Sequence, residues 1–398
     1  MMDFERLSQK TGSPAYIFSE ALFKERARKV RSAFGEKVDL CFSIKANPFL
    51  LPFVDDTFKR IEVCSPGELR ICEAMGADLS KVLFSGVNKT EDEVARALDD
   101  GVDILTIESL SHLEIICSQG RKRGNCVPVL LRVADESQFG MDAQTVKEII
   151  AHRQKYPEIE IKGIHYFTGT QKMKPVQIEK ELDFMSELIS EIKTELGFAI
   201  DELEYGTGLA VDYFREDAED TELKRLSDIA EAIRQMGETV HLTVEMGRFF
   251  AAPCGFYLTG IVDTKVNGGV HYAICDGGIH QMKYDGQIKG MKIPKISVIC
   301  RPDGAGGGQT GEWTVCGSLC TTEDVLVRDA DLPVLSPGDL LVFHRTGAYS
   351  AMEGMSTFLS RDIPAIWLLG EDGRLRLVRQ RINTWEMNLP RMKGADII

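Results

Sequence analysis

Residues 82–133 read VLFSGVNKTEDEVARALDDGVDILTIESLSHLEIICSQGRKRGNCVPVLLRV. Three short apolar or β-branched runs stand out: Val82–Gly86, Ile104–Ser109 and Val127–Val133. Between them lie Glu91–Asp99 and Leu110–Arg121, whose apolar residues recur near helical spacing. Thr90 before Glu91, Asp92 and Glu93 reads as a helix start. Leu110, Leu113, Ile116 and Cys117 form an amphipathic stripe. This strand–helix rhythm is that of α/β architecture.

The rhythm extends in both directions. Strand-like runs recur at Leu40–Lys45, Arg60–Ser65, Ile159–Phe167, Glu202–Gly206 and His241–Arg248. Helical patterns occupy Pro66–Met75, Ala143–Arg153, Ile178–Leu196 and Thr221–Gln235. Eight alternations favour a parallel (β/α)8 barrel of the TIM type, with a doubly wound open sheet as the alternative. After Arg248 the rhythm changes. Phe256–Val262, Tyr272–Cys275, Lys295–Cys300, Trp313–Cys316, Leu340–Phe343, Ala365–Leu369 and Leu375–Arg379 follow one another with turns and little helix, the pattern of an antiparallel β-domain. The glycine-rich stretch Gly304–Gly308 precedes a strand and not a helix, so it reads as a hairpin loop and not a phosphate cradle. The expected division is an N-terminal segment 1–20 packing with the β-domain, a barrel over 21–255, and a β-domain over 256–398. A chain of 398 residues is long enough for two domains.

Composition narrows the function. The net charge is −14, which disfavours general binding to nucleic acid or anionic membrane. The first residues show no basic stretch followed by an apolar core, so no signal peptide is expected. No apolar run approaches the roughly 18 residues that span a bilayer. The ten cysteines are scattered without Cys-x-x-Cys spacing. No metal site is expected, and reduced thiols in a cytoplasm fit better than a disulfide framework.

A (β/α)8 barrel places its active site at the C-terminal strand ends. Lys45, Arg132, Phe167–Gln171, Gly206–Gly208 and Glu245–Arg248 all fall there. Each alone is bland. A strand-end lysine is usually solvated, a Gly-x-Gly is usually a turn, and Glu-x-Gly-Arg can be a surface ion pair. Their shared position at one rim makes them a candidate site.

In order and spacing, these motifs resemble the fold-type III pyridoxal-phosphate (PLP) decarboxylases, the group of diaminopimelate and eukaryotic ornithine decarboxylases. The resemblance rests on Ser43–Pro48, Ser65–Leu69, Phe84–Gly86, Gln138–Met141, Gly163–His165 leading into Thr168–Gln171, Glu245–Arg248, Cys320 and Gly347–Tyr349. It implies the alanine racemase-like fold and PLP as cofactor. It implies Lys45 as the lysine that holds PLP through a Schiff base, and Glu245 opposite the pyridine nitrogen. A carboxylate there keeps that nitrogen protonated and the ring a strong electron sink, whereas alanine racemases place an arginine at that point. The cofactor phosphate falls to Gly206, Thr207, Gly208, Gly247, Arg248, Thr170 and Tyr349. Cys320 is implied to reach across a homodimer interface and protonate the α-carbon, so the active site is shared between subunits. An isolated Cys320 would otherwise read as a buried structural thiol.

Several positions depart from that pattern. Phe167 stands where the family stacks a histidine; a phenyl ring can stack but offers no proton. His165 is either a site residue or a satisfied structural histidine. Thr321 follows Cys320 where the family carries an acid for the substrate's distal ammonium. Glu323 and Asp324 could substitute, or form a solvated helix start. Asp276-Gly277-Gly278 leads to Asp285 without the arginine that diaminopimelate enzymes use. Thr321, Glu323, Asp285 and Arg132 are therefore the candidate substrate-binding residues. The combination is similar to the butirosin branch, which decarboxylates a glutamyl group on an acyl carrier protein, and it implies a carrier-bound or modified amino acid and not free diaminopimelate. The competing readings are a PLP racemase and an inactive regulatory homologue that binds a partner protein.

Overall fold

The computed structural model describes residues 2–134, 137–301 and 309–390. The chain divides into two compact units: Lys24–Asp212 with Asp217–Phe250, and Met1–Phe23 with Tyr213–Glu216 and Ala251–Ile398.

The first unit is a closed barrel of eight parallel strands: Val38–Ser43, Arg60–Val63, Val82–Phe84, Ile104–Ile107, Val127–Val133, Ile159–Phe167, Glu202–Gly206 and His241–Met246. The open-sheet alternative is thereby excluded, because Val38–Ser43 pairs with both Arg60–Val63 and His241–Met246. Local chemistry sets the helices. Thr90 and Glu93 form a reciprocal capping box in which each side chain accepts from the other's backbone N–H, and helix Glu91–Asp99 begins there. Ser65 and Ser109 cap Pro66–Ala74 and Leu110–Arg123 one way only, each accepting from the N–H three residues on.

Branched aliphatic side chains ordinarily fill such a barrel. Here the filling includes charge. Arg60 crosses the interior to strand Glu202–Gly206, giving 3.1 Å to the fully buried Glu204 and 2.8 Å to Glu202.

The second unit is a nine-stranded sheet. Its main path runs Val325–Pro333, Thr310–Cys316, Val270–Cys275, Gly255–Asn267, Ala15–Ser19, Ala365–Leu369, Leu375–Arg379, while Leu340–His344 pairs with Gly255–Asn267 and with Ile296–Ile299. It is mostly antiparallel, with two parallel pairings: Ala15–Ser19 with Ala365–Leu369, and Val270–Cys275 with Thr310–Cys316. Tyr16, Phe18, Tyr257 and Phe343 fill its core, with the Tyr16 and Tyr257 rings 5.0 Å apart. The Gly304–Gly308 loop lies outside the described residues.

Two local expectations need correction. Lys45 does not end its strand; the strand stops at Ser43, and Ile44–Ala46 form a 3-10 turn. Asp324 does not start a helix. It is buried, precedes strand Val325–Pro333, and accepts from the Ile279 and Leu319 backbone amides at 2.8 and 2.7 Å.

Candidate active site

The 3-10 turn after the first barrel strand swings Lys45 over the barrel mouth. Its ammonium lies 2.7 Å from Glu62, 3.4 Å from Glu245 and 3.5 Å from the Cys64 sulfur. The Phe167 ring centroid is 5.8 Å away. Alternate residues of Arg60–Val63 face inward, which aims Glu62 at the lysine. Ser85 donates to Glu62 Oε1 at 2.7 Å and Cys64 at 3.0 Å, so that carboxylate is held from two further sides.

Glu245, next to last in the eighth strand, is 4% exposed. It accepts from Ser43 Oγ at 3.0 Å and lies 3.0 Å from His165 Nε2. Burial alone would raise its carboxyl. The Lys45 cation and the His165 contact outweigh burial and hold it well below the usual carboxylate range. A buried, ionised carboxylate thus sits beside the lysine amine. His165, left open between two readings, is a close partner of Glu245.

The neighbouring rim carries a second cluster. Arg132 binds Glu108 at 3.0 Å and lies over the Phe139 ring. Lys89 is buried, donates to the Gly86 carbonyl and Thr106, and is lowered to about 8 by burial.

Two strands round the barrel from the strand before Lys45, the turn Gly206–Gly208 carries no bulk at its ends. A Cβ on Gly206 would come within 2.3 Å of the Phe167 ring, and one on Gly208 within 1.9 Å of the Gly169 carbonyl oxygen. Gly208 also has φ +59, where a glycine is favoured. Arg248 Nε donates to Thr170 Oγ1 at 3.3 Å, which links the last strand's exit to the loop after Phe167.

The barrel unit therefore gathers Lys45, Phe167, Thr170, Gly206, Thr207, Gly208, Glu245, Gly247 and Arg248 at one rim. The other candidates belong to the second unit. Cys320 is exposed, in the turn that Asp324 pins. Thr321 Oγ1 accepts from the Glu323 amide at 3.3 Å, and Glu323 pairs with Lys289 at 2.6 Å. Asp285 is exposed. Tyr349 has φ +63, an unusual backbone for a residue with a bulky side chain. Sequence reasoning missed Glu62, Cys64 and Glu108, and it gave Ser85, quoted within Phe84–Gly86, no role of its own. The available signal was the polar alternation Arg60, Glu62, Cys64 within an apolar run.

A lysine amine at a parallel barrel's mouth, beside a buried ionised carboxylate and a bare glycine turn, defines a barrel equipped for a phosphorylated aldehyde cofactor. Residues 20–252 match the family described as "Pyridoxal-dependent decarboxylase, pyridoxal binding domain", and the chain belongs to that family. Its cofactor is pyridoxal phosphate. The chain is 25% identical over 403 residues to a diaminopimelate decarboxylase of Aquifex aeolicus, covering 96% of this chain and 92% of that one. It is also 25% identical over 401 residues to the L-glutamyl-[BtrI acyl-carrier protein] decarboxylase of Niallia circulans, covering 94% and 92%. A crystal structure of diaminopimelate decarboxylase from Helicobacter pylori, complexed with L-lysine, shares the fold with a TM-score of 0.83 at 23% identity, covering 97% and 99%.

The residues present fit the cofactor. Gly206 and Gly208 leave both ends of their turn without a side chain, Thr170 lies beside Gly208, and Arg248 donates to Thr170. Glu245 is an anion suited to a protonated ring nitrogen, and Lys45 is the amine suited to an aldehyde. No helix among the described residues is long and apolar enough to cross a membrane, and no metal-binding cluster occurs among them.

Proposed function

We propose that this protein decarboxylates an amino acid carried on, or modified at, its distal end. The observation that carries decarboxylation is Glu245, a buried carboxylate 3.4 Å from the Lys45 amine and 3.0 Å from His165 Nε2. Bound pyridoxal phosphate supplies an electron sink for the charge left on the α-carbon when CO2 departs. Glu245 holds a proton at the ring nitrogen, and His165 and Ser43 fix the carboxylate that does so. Lys45 would hold the cofactor covalently, and Glu62 orients its amine. Phe167 offers an apolar face to the ring and excludes water there. Within the barrel unit, Gly206, Thr207, Gly208, Gly247, Arg248 and Thr170 would hold the phosphate. Cys320 donates the proton that replaces CO2 on the α-carbon, reaching the site from a second copy of the chain. That arrangement makes the working enzyme a homodimer.

The substrate reading rests on the residues around Cys320. Thr321 spends its hydroxyl on its own turn, and the Glu323 carboxylate is already engaged by Lys289. Neither is a ready clamp for a distal ammonium, and no arginine takes the place of a distal-carboxylate partner between Gly278 and Asp285. A tethered or amidated distal end needs neither. The relative from Niallia circulans, named for a glutamyl group on an acyl-carrier protein, fits the same reading. Arg132, buried and held by Glu108 at 3.0 Å, would have to exchange that partner to meet a substrate carboxylate. The test is CO2 release from free diaminopimelate, lysine, ornithine and arginine against aminoacyl groups on a carrier protein. Preferential turnover of the carrier-bound substrates is expected. Rapid turnover of free diaminopimelate overturns the substrate assignment.

A further inference from the structure

We propose that Glu181 is a positioning residue that sets the cofactor-phosphate site, a role that rests on the assignment of Thr170 and Gly206–Gly208 to the phosphate. Glu181 lies in helix Pro175–Leu196, outside every motif at the rim. Its carboxylate gathers three donors from two separate segments. Thr168 Oγ1 donates to Oε1 at 2.6 Å, Lys172 Nζ to Oε2 at 2.7 Å, and the Tyr205 hydroxyl to Oε2 at 2.6 Å. Thr168 and Lys172 bracket Thr170. Tyr205 immediately precedes Gly206. One side chain therefore ties the loop that presents the hydroxyl to the strand that presents the glycine turn.

The surroundings make this tie consequential. Glu181 is only 14% exposed, so water competes weakly for its bonds. The loop also depends on Gln171, whose backbone sits at φ +59, a conformation a side-chain-bearing residue adopts only when its surroundings hold it. Gln171 bonds Val211 in both directions, at 3.2 and 2.8 Å, and Lys172 N–H donates to the Gly208 carbonyl at 2.9 Å. These are main-chain and amide bonds between two segments that are neither helix nor strand. The helix carrying Glu181 spans 22 residues and supplies the fixed point they lack. Removing the carboxylate unties the helix from both loop and strand, leaving only these bonds to hold the cradle, while Lys45, Glu62 and Glu245 keep their own partners.

That separation gives the test. Full-length protein freed of cofactor is titrated with pyridoxal phosphate and, separately, with pyridoxal. Occupancy is read as pyridoxyl fluorescence fixed to the protein by borohydride. Glu181→Gln is expected to weaken capture of pyridoxal phosphate by about 10-fold to 100-fold, the size of effect seen when an outer partner of a bound group is removed. Capture of pyridoxal, which has no phosphate, stays within about two-fold. Thr168→Val, which breaks only the loop side, shifts the same ratio in the same direction by less, and it carries the test should Glu181→Gln fail to fold. Equal losses for both compounds, or no loss for either, overturn the Glu181 role. Thr170→Ala is the reference. If it leaves the preference for pyridoxal phosphate intact, the phosphate assignment fails and the Glu181 role with it. If Thr170→Ala loses that preference and neither other variant does, only the Glu181 role fails.

Discussion

Glu204→Gln probes the charge buried under the catalytic rim. Glu204 is fully buried, and burial together with the nearby negative charge of Glu245 raises its carboxyl from 4.5 to about 8, with Arg60 at 3.1 Å opposing. Between those two pH values the folded chain holds a proton that the unfolded chain releases. Stability is therefore fully present below about 4.5 and falls as pH rises toward 8, then levels off. At about 1.4 kcal/mol per pH unit, the full fall is on the order of 5 kcal/mol. Glutamine cannot ionise, keeps nearly the same shape, and leaves Arg60 paired with Glu202. The assay is urea unfolding of both proteins at intervals from pH 5 to pH 9, with the variant-minus-wild-type difference plotted against pH, so that every other titrating group cancels. The two should be nearly equal at pH 5, and the variant should gain several kcal/mol by pH 9. A difference that is flat with pH refutes the argument. A flat difference is what results if Arg60 keeps Glu204 ionised throughout.

Gly208→Ala places a methyl against the Gly169 carbonyl in a left-handed turn, and overpacking with backbone strain should cost about 2–4 kcal/mol and weaken cofactor retention. Gly268→Ala, at φ +57 with open space around it, is the control and should cost only about 1 kcal/mol in a thermal melt. Cys320→Ala should retain pyridoxal phosphate yet misdirect or slow protonation of the product, visible as solvent-deuterium placement at the α-carbon; full activity rejects its role. Co-expressed Lys45→Ala and Cys320→Ala chains should recover about a quarter of wild-type turnover, because random pairing makes half the dimers mixed and each mixed dimer has one intact site. No recovery rejects a shared active site.

Much of the barrel was legible because its signals are local. Val127–Val133, Ile159–Phe167 and Glu202–Gly206 are strands over the ranges their apolar runs mark, and Glu91–Asp99 begins at the hydroxyl that caps it. Val325–Pro333 was not visible, since Arg328, Asp329 and Asp331 interrupt its apolar alternation and Asp329 turns to φ +52 within it. Ala15–Ser19 was hidden for the opposite reason. Its five residues are all buried and lack the alternation that marks a half-exposed strand. At the site, Lys45 and Glu245 could be found from their motifs. Glu62 required knowing which face of its strand looks inward. Glu181 left no trace, being one acid among many on a surface-facing helical pattern.

The placement of Ala15–Ser19 has a consequence for synthesis. These residues are synthesised before both of their neighbours: Gly255–Asn267 comes only after the whole barrel, and Ala365–Leu369 later still. During translation a short, wholly apolar-facing strand waits with both edges open. Such a segment invites pairing with other chains. The polypeptide is thus exposed to chaperones and to self-association at this strand until Ala365–Leu369 has been made.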